Sequence, residues 1–284
     1  MKTKTAPYTI WFQAIRPKTL IASISPVLIG LAFAYKEGFF SPFYAFMTLL
    51  VALGIQITAN LANDYFDYEK GADTIERKGP LRVTQAGLVS PQKMKQAILL
   101  TVLLTSLLSS FLILKGGPLV AVLSSLSILL ALGYTTGPFP LAYLGLGDFF
   151  TLSFFGPIAS AGTYFLQTNT LSSETFAAGL GCGLISTAIL TVNNVRDIEE
   201  DRLADKKTLP VRFGKTFGKW EYTLCLLLAP LPAALSSHFL PLLMLAISFP
   251  LIKTIWTEDL PQVLNPLLGK TAALLGVYTV LSLL

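Results

Sequence analysis

Long apolar runs separated by short polar segments dominate the chain. Nine runs are near the length that crosses about 30 Å of hydrocarbon when tilt is allowed. They lie at about residues 19–35, 42–62, 97–114, 118–135, 149–167, 175–195, 222–237, 239–256 and 264–284. The stretch 222–252 has no Asp, Glu, Lys or Arg and is too long for one crossing, so we place a turn among its prolines. The pattern predicts an all-α, polytopic membrane protein with nine transmembrane helices, in a single domain over residues 1–284.

Composition agrees with this pattern. Charged residues make up 13% of the chain and hydrophobic residues 53%, whereas soluble domains carry about 25% charged residues. With the N-terminus in the cytoplasm, 19 of the 21 Lys and Arg residues lie in or beside cytoplasmic segments, and only Lys36 and Lys115 lie outside. Cytoplasmic loops are enriched in basic residues. The charge therefore predicts a cytoplasmic (inner) membrane protein with this orientation, and we expect no nucleic-acid partner.

Two polar stretches interrupt the apolar pattern, Asn60–Gln85 and Asn193–Lys215, and each begins where an apolar run ends. Their aspartates recur at helical spacing: Asp64 and Asp67 in the first, and Asp197, Asp201 and Asp205 in the second. If these stretches are helical, each set lines one helix face. Like charges at this spacing repel, and the C-terminal end of a helix disfavours acids. We therefore expect positive charge at both clusters.

Mg²⁺ is the natural source of that charge. It binds one or two carboxylates, keeps several waters and shares oxygens with substrate phosphates, so the clusters predict a Mg²⁺-bound diphosphate. Nearby basic side chains can hold its remaining oxygens: Arg77, Lys78, Arg82, Lys207 and Arg212. The alternative is that these basic residues only set the topology.

At these residues the chain resembles the UbiA superfamily of intramembrane prenyltransferases. The motifs read NDYFD from Asn63 and DIEED from Asp197. Further similar segments are RPKTL from Arg16, GPLRVTQAGL from Gly79 and YTTGPFPLAYLGLGD from Tyr134. The resemblance covers most of residues 11–215 and is greatest to the branch that uses 1,4-dihydroxy-2-naphthoate.

The resemblance implies nine helices around a central, lipid-accessible cavity. It implies transfer of a polyprenyl group (or phytyl) from its diphosphate to 1,4-dihydroxy-2-naphthoate, with loss of CO₂ and pyrophosphate. The residues that it assigns to Mg²⁺ and diphosphate are Asn63, Asp64, Asp67, Asp197 and Asp201, with Asn194 and Asp205 as further members. Many relatives carry a third Asp four residues after the second, where this chain has Gly71. The naphthoate branch instead has an aspartate two positions later, here Asp73, which is a hypothetical base or orienting group for the acceptor.

Several assignments stay open on the sequence alone. Arg16 can reach the acceptor carboxylate or a phosphate, or it can be a topology anchor; Tyr134 can line the acceptor pocket or be an interfacial aromatic. The glycines at 179, 181 and 183 predict close helix packing. An alternative acceptor, 4-hydroxybenzoate or homogentisate, would leave the metal chemistry unchanged. A secondary transporter is the alternative from another class. Transporters place ionisable residues near the bilayer midplane, whereas the carboxylates of this chain cluster at the ends of apolar runs.

Overall fold

The computed structural model describes residues 6–71, 78–137 and 140–284. Within these ranges the chain forms helices and turns, with no β-strand. In chain order the helices are α1 (Pro7–Ile15), α2 (Pro17–Lys36), α3 (Pro42–Glu69), α4 (Pro91–Gly133), α5 (Leu141–Leu144), α6 (Gly147–Phe154), α7 (Pro157–Thr168), α8 (Ser173–Arg196), α9 (Ile198–Leu203), α10 (Leu209–Phe213), α11 (Lys215–Leu228), α12 (Leu231–Leu235), a 3₁₀ turn (Leu240–Leu243), α13 (Met244–Thr257) and α14 (Pro261–Leu283).

Seven helical segments of the described chain are long and apolar enough to cross a membrane. They are Pro17–Lys36, Pro42–Glu69, Pro91–Gly133, Gly147–Thr168, Ser173–Arg196, Leu240–Thr257 and Pro261–Leu283. The prediction of an all-α, multi-pass membrane protein is therefore confirmed.

Helix α4 contains two of the predicted crossings. An unbroken helix of its 43 residues would be about 64 Å long, roughly twice the hydrocarbon thickness. Gly117 breaks it with a positive φ of 66° that favours glycine, directly before Pro118. Leu112 and Val120, on either side of the break, belong to one apolar cluster. The helix is therefore kinked at Gly117, between the predicted spans 97–114 and 118–135.

The predicted crossing at 222–237 has a different form. Helix α11 ends at Leu228, and α12 adds only Leu231–Leu235 after a turn at Pro230. Neither helix reaches crossing length alone, so the exact count of nine stays a prediction.

Helix α8 lies at the centre of the bundle and is the most buried of the crossing segments among the described residues. Its apolar side chains join those of α2, α11, α13 and α14 in one large core cluster. Toward α6 and α7 it presents glycines, because a methyl group at Gly183 would overlap the carbonyl oxygen of Leu152 and one at Gly179 would overlap the hydroxyl of Ser160. The predicted close packing at these glycines is confirmed.

Candidate active site

The two acidic stretches, far apart in sequence, meet at one end of the bundle. The Lys206 ammonium, just after α9, lies 3.1 Å from the carboxylate of Asp67 in the last turn of α3. The backbone N–H of Lys78 donates to the Glu200 carboxylate at 2.9 Å. These contacts join the end of α3 to the segment that follows α8.

Two cations neutralise Asp67. It is 1% exposed and lies at a helix C-terminus, where both burial and the helix dipole disfavour a negative charge. Arg82 Nη2 lies 3.2 Å from one carboxylate oxygen, and Lys206 supplies the second cation. The positive charge expected here is therefore present in the fold. Sequence reasoning named Arg82 but missed Lys206, choosing its neighbour Lys207.

Asp64 contacts backbone rather than cations. It is also 1% exposed, and its two oxygens accept the N–H groups of Val83 at 3.0 Å and Thr84 at 2.9 Å. Hydrogen bonds from backbone amides to a carboxylate are strong because they are charge-assisted. Asp64 therefore fixes the turn beside Arg82 to α3, and its assignment as a Mg²⁺ ligand stays a prediction.

Asp197 is held by its own neighbour. The Arg196 guanidinium donates to both Asp197 oxygens, each at 2.6 Å, and to the Asn265 side-chain oxygen at 2.7 Å. The amide nitrogen of Asn265 in turn donates to the Lys78 carbonyl at 3.1 Å. Arg196, which the sequence did not single out, therefore connects the second motif to α14 and to the first acidic stretch.

The aspartates of the second motif do not share one helix face. Helix α8 ends at Arg196, α9 begins at Ile198, and Asp205 follows α9 in a left-handed conformation with φ of 55°. The expectation of a common face is wrong for Asp205, which is exposed on a turn, because α9 ends at Leu203 and Asp205 lies beyond it in a left-handed conformation. Asp201 is half-buried.

Tyr134, at the end of α4, lies close enough to both motifs for their negative charges to act on its hydroxyl. Burial raises the pKa of its hydroxyl, and the negative charges of Asp148, Asp201 and Asp67 act in the same direction. Tyr134 is therefore a neutral hydrogen-bond donor at physiological pH. The adjacent Thr135 hydroxyl donates to the Asn63 side-chain oxygen at 3.2 Å.

The remaining predicted basic residues are placed differently. Lys78 and Lys207 are exposed. Arg212 donates to the carbonyl oxygens of Lys207 at 3.0 Å and Leu144 at 2.7 Å, so in this state it holds loops together. Asp73 and Arg77 lie outside the described residues.

Lys70 caps α3 near the acids. Its ammonium donates to the Thr135 carbonyl at 2.6 Å and lies 4.0 Å from the Tyr143 ring centroid. Partial burial lowers its pKa, and Lys206 adds to this effect while Asp67 opposes it.

A cavity of about 330 Å³ opens beside these residues. Its walls are mainly apolar, with side chains from α2, α3, α4, α6, α7 and α8. Its polar lining side chains include Arg16, Gln56, Asn60, Asn63, Tyr134 and Asn193. Arg16 and Tyr134 thus line the cavity, as the sequence allowed. At the start of the second acidic stretch Asn193 lines the cavity, whereas Asn194 is buried and is not one of the lining residues.

The donor set suits Mg²⁺. No group of three or more His, Cys, Asp or Glu side chains is arranged to hold a metal in residues 6–71, 78–137 and 140–284. Nevertheless, Asn63, Asp67 and Asp201 offer the amide and carboxylate oxygens that Mg²⁺ prefers, and it usually completes its shell with water and phosphate. The two cations on buried Asp67 demonstrate that this position requires positive charge.

Comparisons with known proteins agree with this geometry. The model of the UbiA prenyltransferase family matches residues 23–261. The 1,4-dihydroxy-2-naphthoate octaprenyltransferase of Escherichia coli (strain K12) is 40% identical over 227 residues, covering 78% of this chain and 73% of that protein. The enzyme of the same name from Haemophilus influenzae (strain ATCC 51907 / DSM 11121 / KW20 / Rd) is 39% identical over 231 residues, covering 78% and 75%.

A solved structure shares the fold. The UbiA homolog from Archaeoglobus fulgidus bound to DMAPP and Mg²⁺ aligns with a TM-score of 0.63 at 15% identity, covering 96% of this chain and 98% of that one. Together with the family match over most of the sequence, this establishes that the chain belongs to the UbiA prenyltransferase family.

Proposed function

We propose that this protein is a membrane prenyltransferase that moves a polyprenyl group from its diphosphate to 1,4-dihydroxy-2-naphthoate. The bond between the prenyl C1 and the diphosphate oxygen breaks, a carbon–carbon bond to the ring forms, and the acceptor carboxyl group leaves as CO₂. The observation that carries the proposal is the meeting of both acidic stretches beside a mostly apolar cavity. The relatives from Escherichia coli and Haemophilus influenzae, named for this acceptor, support it.

In this proposal Asn63, Asp67 and Asp201 hold Mg²⁺, with Asp64, Asp197 and Asp205 as further candidates from the sequence. When bound, Mg²⁺ neutralises the charge that develops on the departing pyrophosphate. Arg82 and Lys206 neutralise Asp67 in this structure; beside a bound metal they would be available to hold phosphate oxygens.

The cavity positions the rest of both reactants. Its volume of about 330 Å³ is at the small end of ligand sites, which run to about 1,000 Å³. It therefore receives the reacting heads, while a long prenyl tail extends toward lipid. Its apolar walls exclude water from the allylic carbon. The basic residues at this end of the bundle support a cytoplasmic orientation in the inner membrane.

Purified protein in lipid nanodiscs tests the proposal. It is incubated with Mg²⁺, octaprenyl diphosphate and one acceptor at a time: 1,4-dihydroxy-2-naphthoate, 4-hydroxybenzoate or homogentisate. Mass spectrometry should detect a decarboxylated, prenylated naphthalenediol from the first acceptor only. Product from another acceptor but none from the naphthoate would refute the assignment.

A further inference from the structure

Helix α3 carries a polar stripe that continues beyond its acidic end. Gln56, Asn60 and Asn63 follow one another at spacing i, i+4 and i+7, so they lie on one helix face. All three line the cavity. Gln56 lies 11 residues, or about three helical turns, before Asp67, among mostly apolar wall residues.

The orientation of the Asn60 amide is fixed by its partners. Its nitrogen donates to the Ile15 carbonyl at 2.7 Å, and a carbonyl can only accept. It also donates to the Thr19 hydroxyl at 3.0 Å. That hydroxyl has its single proton engaged on the Arg16 carbonyl at 2.9 Å, so it can only accept here. The Asn60 oxygen must therefore face Gln56.

This arrangement fixes Gln56 in turn. Its nitrogen donates to the Asn60 oxygen at 3.3 Å and to the Thr19 hydroxyl at 3.4 Å. Its side-chain oxygen is buried and has no hydrogen-bond partner among the described residues, although Gln56 is only 8% exposed. A buried hydrogen-bond acceptor without a donor destabilises the fold. The amide cannot rotate to relieve this, because rotation would set two oxygens against each other.

We propose that Gln56 determines acceptor specificity by accepting a hydrogen bond from a ring hydroxyl of the aromatic acceptor. The inference rests on the proposed function, and it names the residue that reads one group of that substrate. A hydroxyl is the right partner because the Gln56 oxygen lacks a donor, whereas the hydrogens of its nitrogen are directed to the Asn60 oxygen and the Thr19 hydroxyl. Arg16, whose carbonyl anchors the network and whose side chain lines the same cavity, supplies the positive charge for the acceptor carboxylate.

A site with a buried, unpaired hydrogen-bond acceptor discriminates strongly between aromatic substrates. An acceptor without the hydroxyl leaves the Gln56 oxygen desolvated and unpaired, and sites that hydrogen-bond a substrate group reject analogues lacking it far more strongly than apolar pockets do. The diphosphate, in contrast, presents only oxygens and gains nothing from Gln56. Loss of the Gln56 oxygen should therefore weaken binding of the aromatic acceptor and leave binding of the prenyl diphosphate unchanged.

The test uses Gln56→Leu, which keeps the approximate size of the side chain without its oxygen. Ser127→Ala is the matched control, because Ser127 also borders the cavity but its hydroxyl already donates to the Leu123 carbonyl at 2.7 Å. For each protein in nanodiscs we would measure KM and kcat for 1,4-dihydroxy-2-naphthoate and for octaprenyl diphosphate. Inhibition constants are measured for 1-hydroxy-2-naphthoate and 4-hydroxy-2-naphthoate, which each lack one hydroxyl.

We expect Gln56→Leu to raise the KM for the naphthoate about 10- to 100-fold, with an unchanged KM for the diphosphate. It should also bind one single-hydroxyl analogue as tightly as the wild type does, because that analogue lacks the group Gln56 reads. An unchanged KM for the naphthoate, or equal weakening of the naphthoate and both analogues, would overturn the inference while the proposed function stands. If the wild type prenylates only 4-hydroxybenzoate, the proposed function fails. The same comparison with 4-hydroxybenzoate and benzoate then decides the role of Gln56. Absence of product from every aromatic acceptor would overturn both.

Discussion

Replacing Asp64 with asparagine separates its two roles, loop anchor and metal ligand. Its carboxylate accepts the backbone N–H groups of Val83 and Thr84 at 3.0 and 2.9 Å. An asparagine has only one side-chain oxygen, so one of these N–H groups would instead face an NH₂ group. A hydrogen bond to a charged acceptor contributes about 1.5–3 kcal/mol. Losing one bond should make opening of this turn about 10- to 150-fold more frequent.

Amide hydrogen exchange measures this opening directly. In Asp64→Asn the Val83 and Thr84 amides should exchange about 10- to 150-fold faster. The value of kcat/KM should fall because Arg82 loses its position on Asp67, while the Mg²⁺ concentration for half-maximal activity should stay the same. Glu69→Gln is the control: Glu69 lies on the same helix but accepts from the Tyr65 hydroxyl at 2.8 Å. Unchanged exchange together with a raised Mg²⁺ requirement would refute the anchor role and identify Asp64 as a metal ligand.

Three further outcomes follow from other contacts. Lys206→Met should raise the KM for the prenyl diphosphate at least tenfold in steady-state assays. Lys207→Met should change this KM little, because of the two lysines only Lys206 contacts Asp67. Equal effects of the two substitutions would refute this reasoning. Gly183→Ala should lower the melting temperature in detergent by several degrees, since its methyl group would overlap the carbonyl oxygen of a facing helix; an unchanged melting temperature would contradict the packing. Partial burial by itself would raise the pKa of Asp259, but hydrogen bonds from Lys219 and Lys215 lower this pKa below its ordinary value. A group with a lowered folded pKa stabilises the protein above its unfolded pKa and loses that effect as the pH falls through the folded pKa. Asp259→Asn should therefore reduce the melting temperature slightly at pH 7, and this difference should shrink as the pH falls through the folded pKa; a difference that stays constant across an acid titration would contradict the stabilising role of the ionised Asp259.

The crossing helices were largely predictable, because each apolar run has the length that a bilayer requires. The exception is the stretch 222–237, where Pro230 ends one helix and a second, very short helix follows. Hydropathy cannot distinguish one crossing from two short helices of the same composition.

For the candidate site, it was predictable that the two acidic stretches meet. The positions of single side chains were not, because they depend on how the helices end. Asp205 lies exposed on the turn that follows α9, and after the same turn Lys206 rather than Lys207 reaches Asp67. Gln56 carried no signal in the sequence, since a lone glutamine in an apolar run is ordinary until its partners are known.

The Mg²⁺ dependence of product formation tests the central claim, that both acidic stretches serve one diphosphate site, most directly. Octaprenyl diphosphate and 1,4-dihydroxy-2-naphthoate are supplied to the wild type, Asp67→Asn and Asp201→Asn across a Mg²⁺ titration. We expect no product after chelation, and at least a tenfold higher Mg²⁺ requirement in each variant, since each removes one carboxylate of a shared site. Product formation that survives chelation, or a normal Mg²⁺ requirement in both variants, would contradict it.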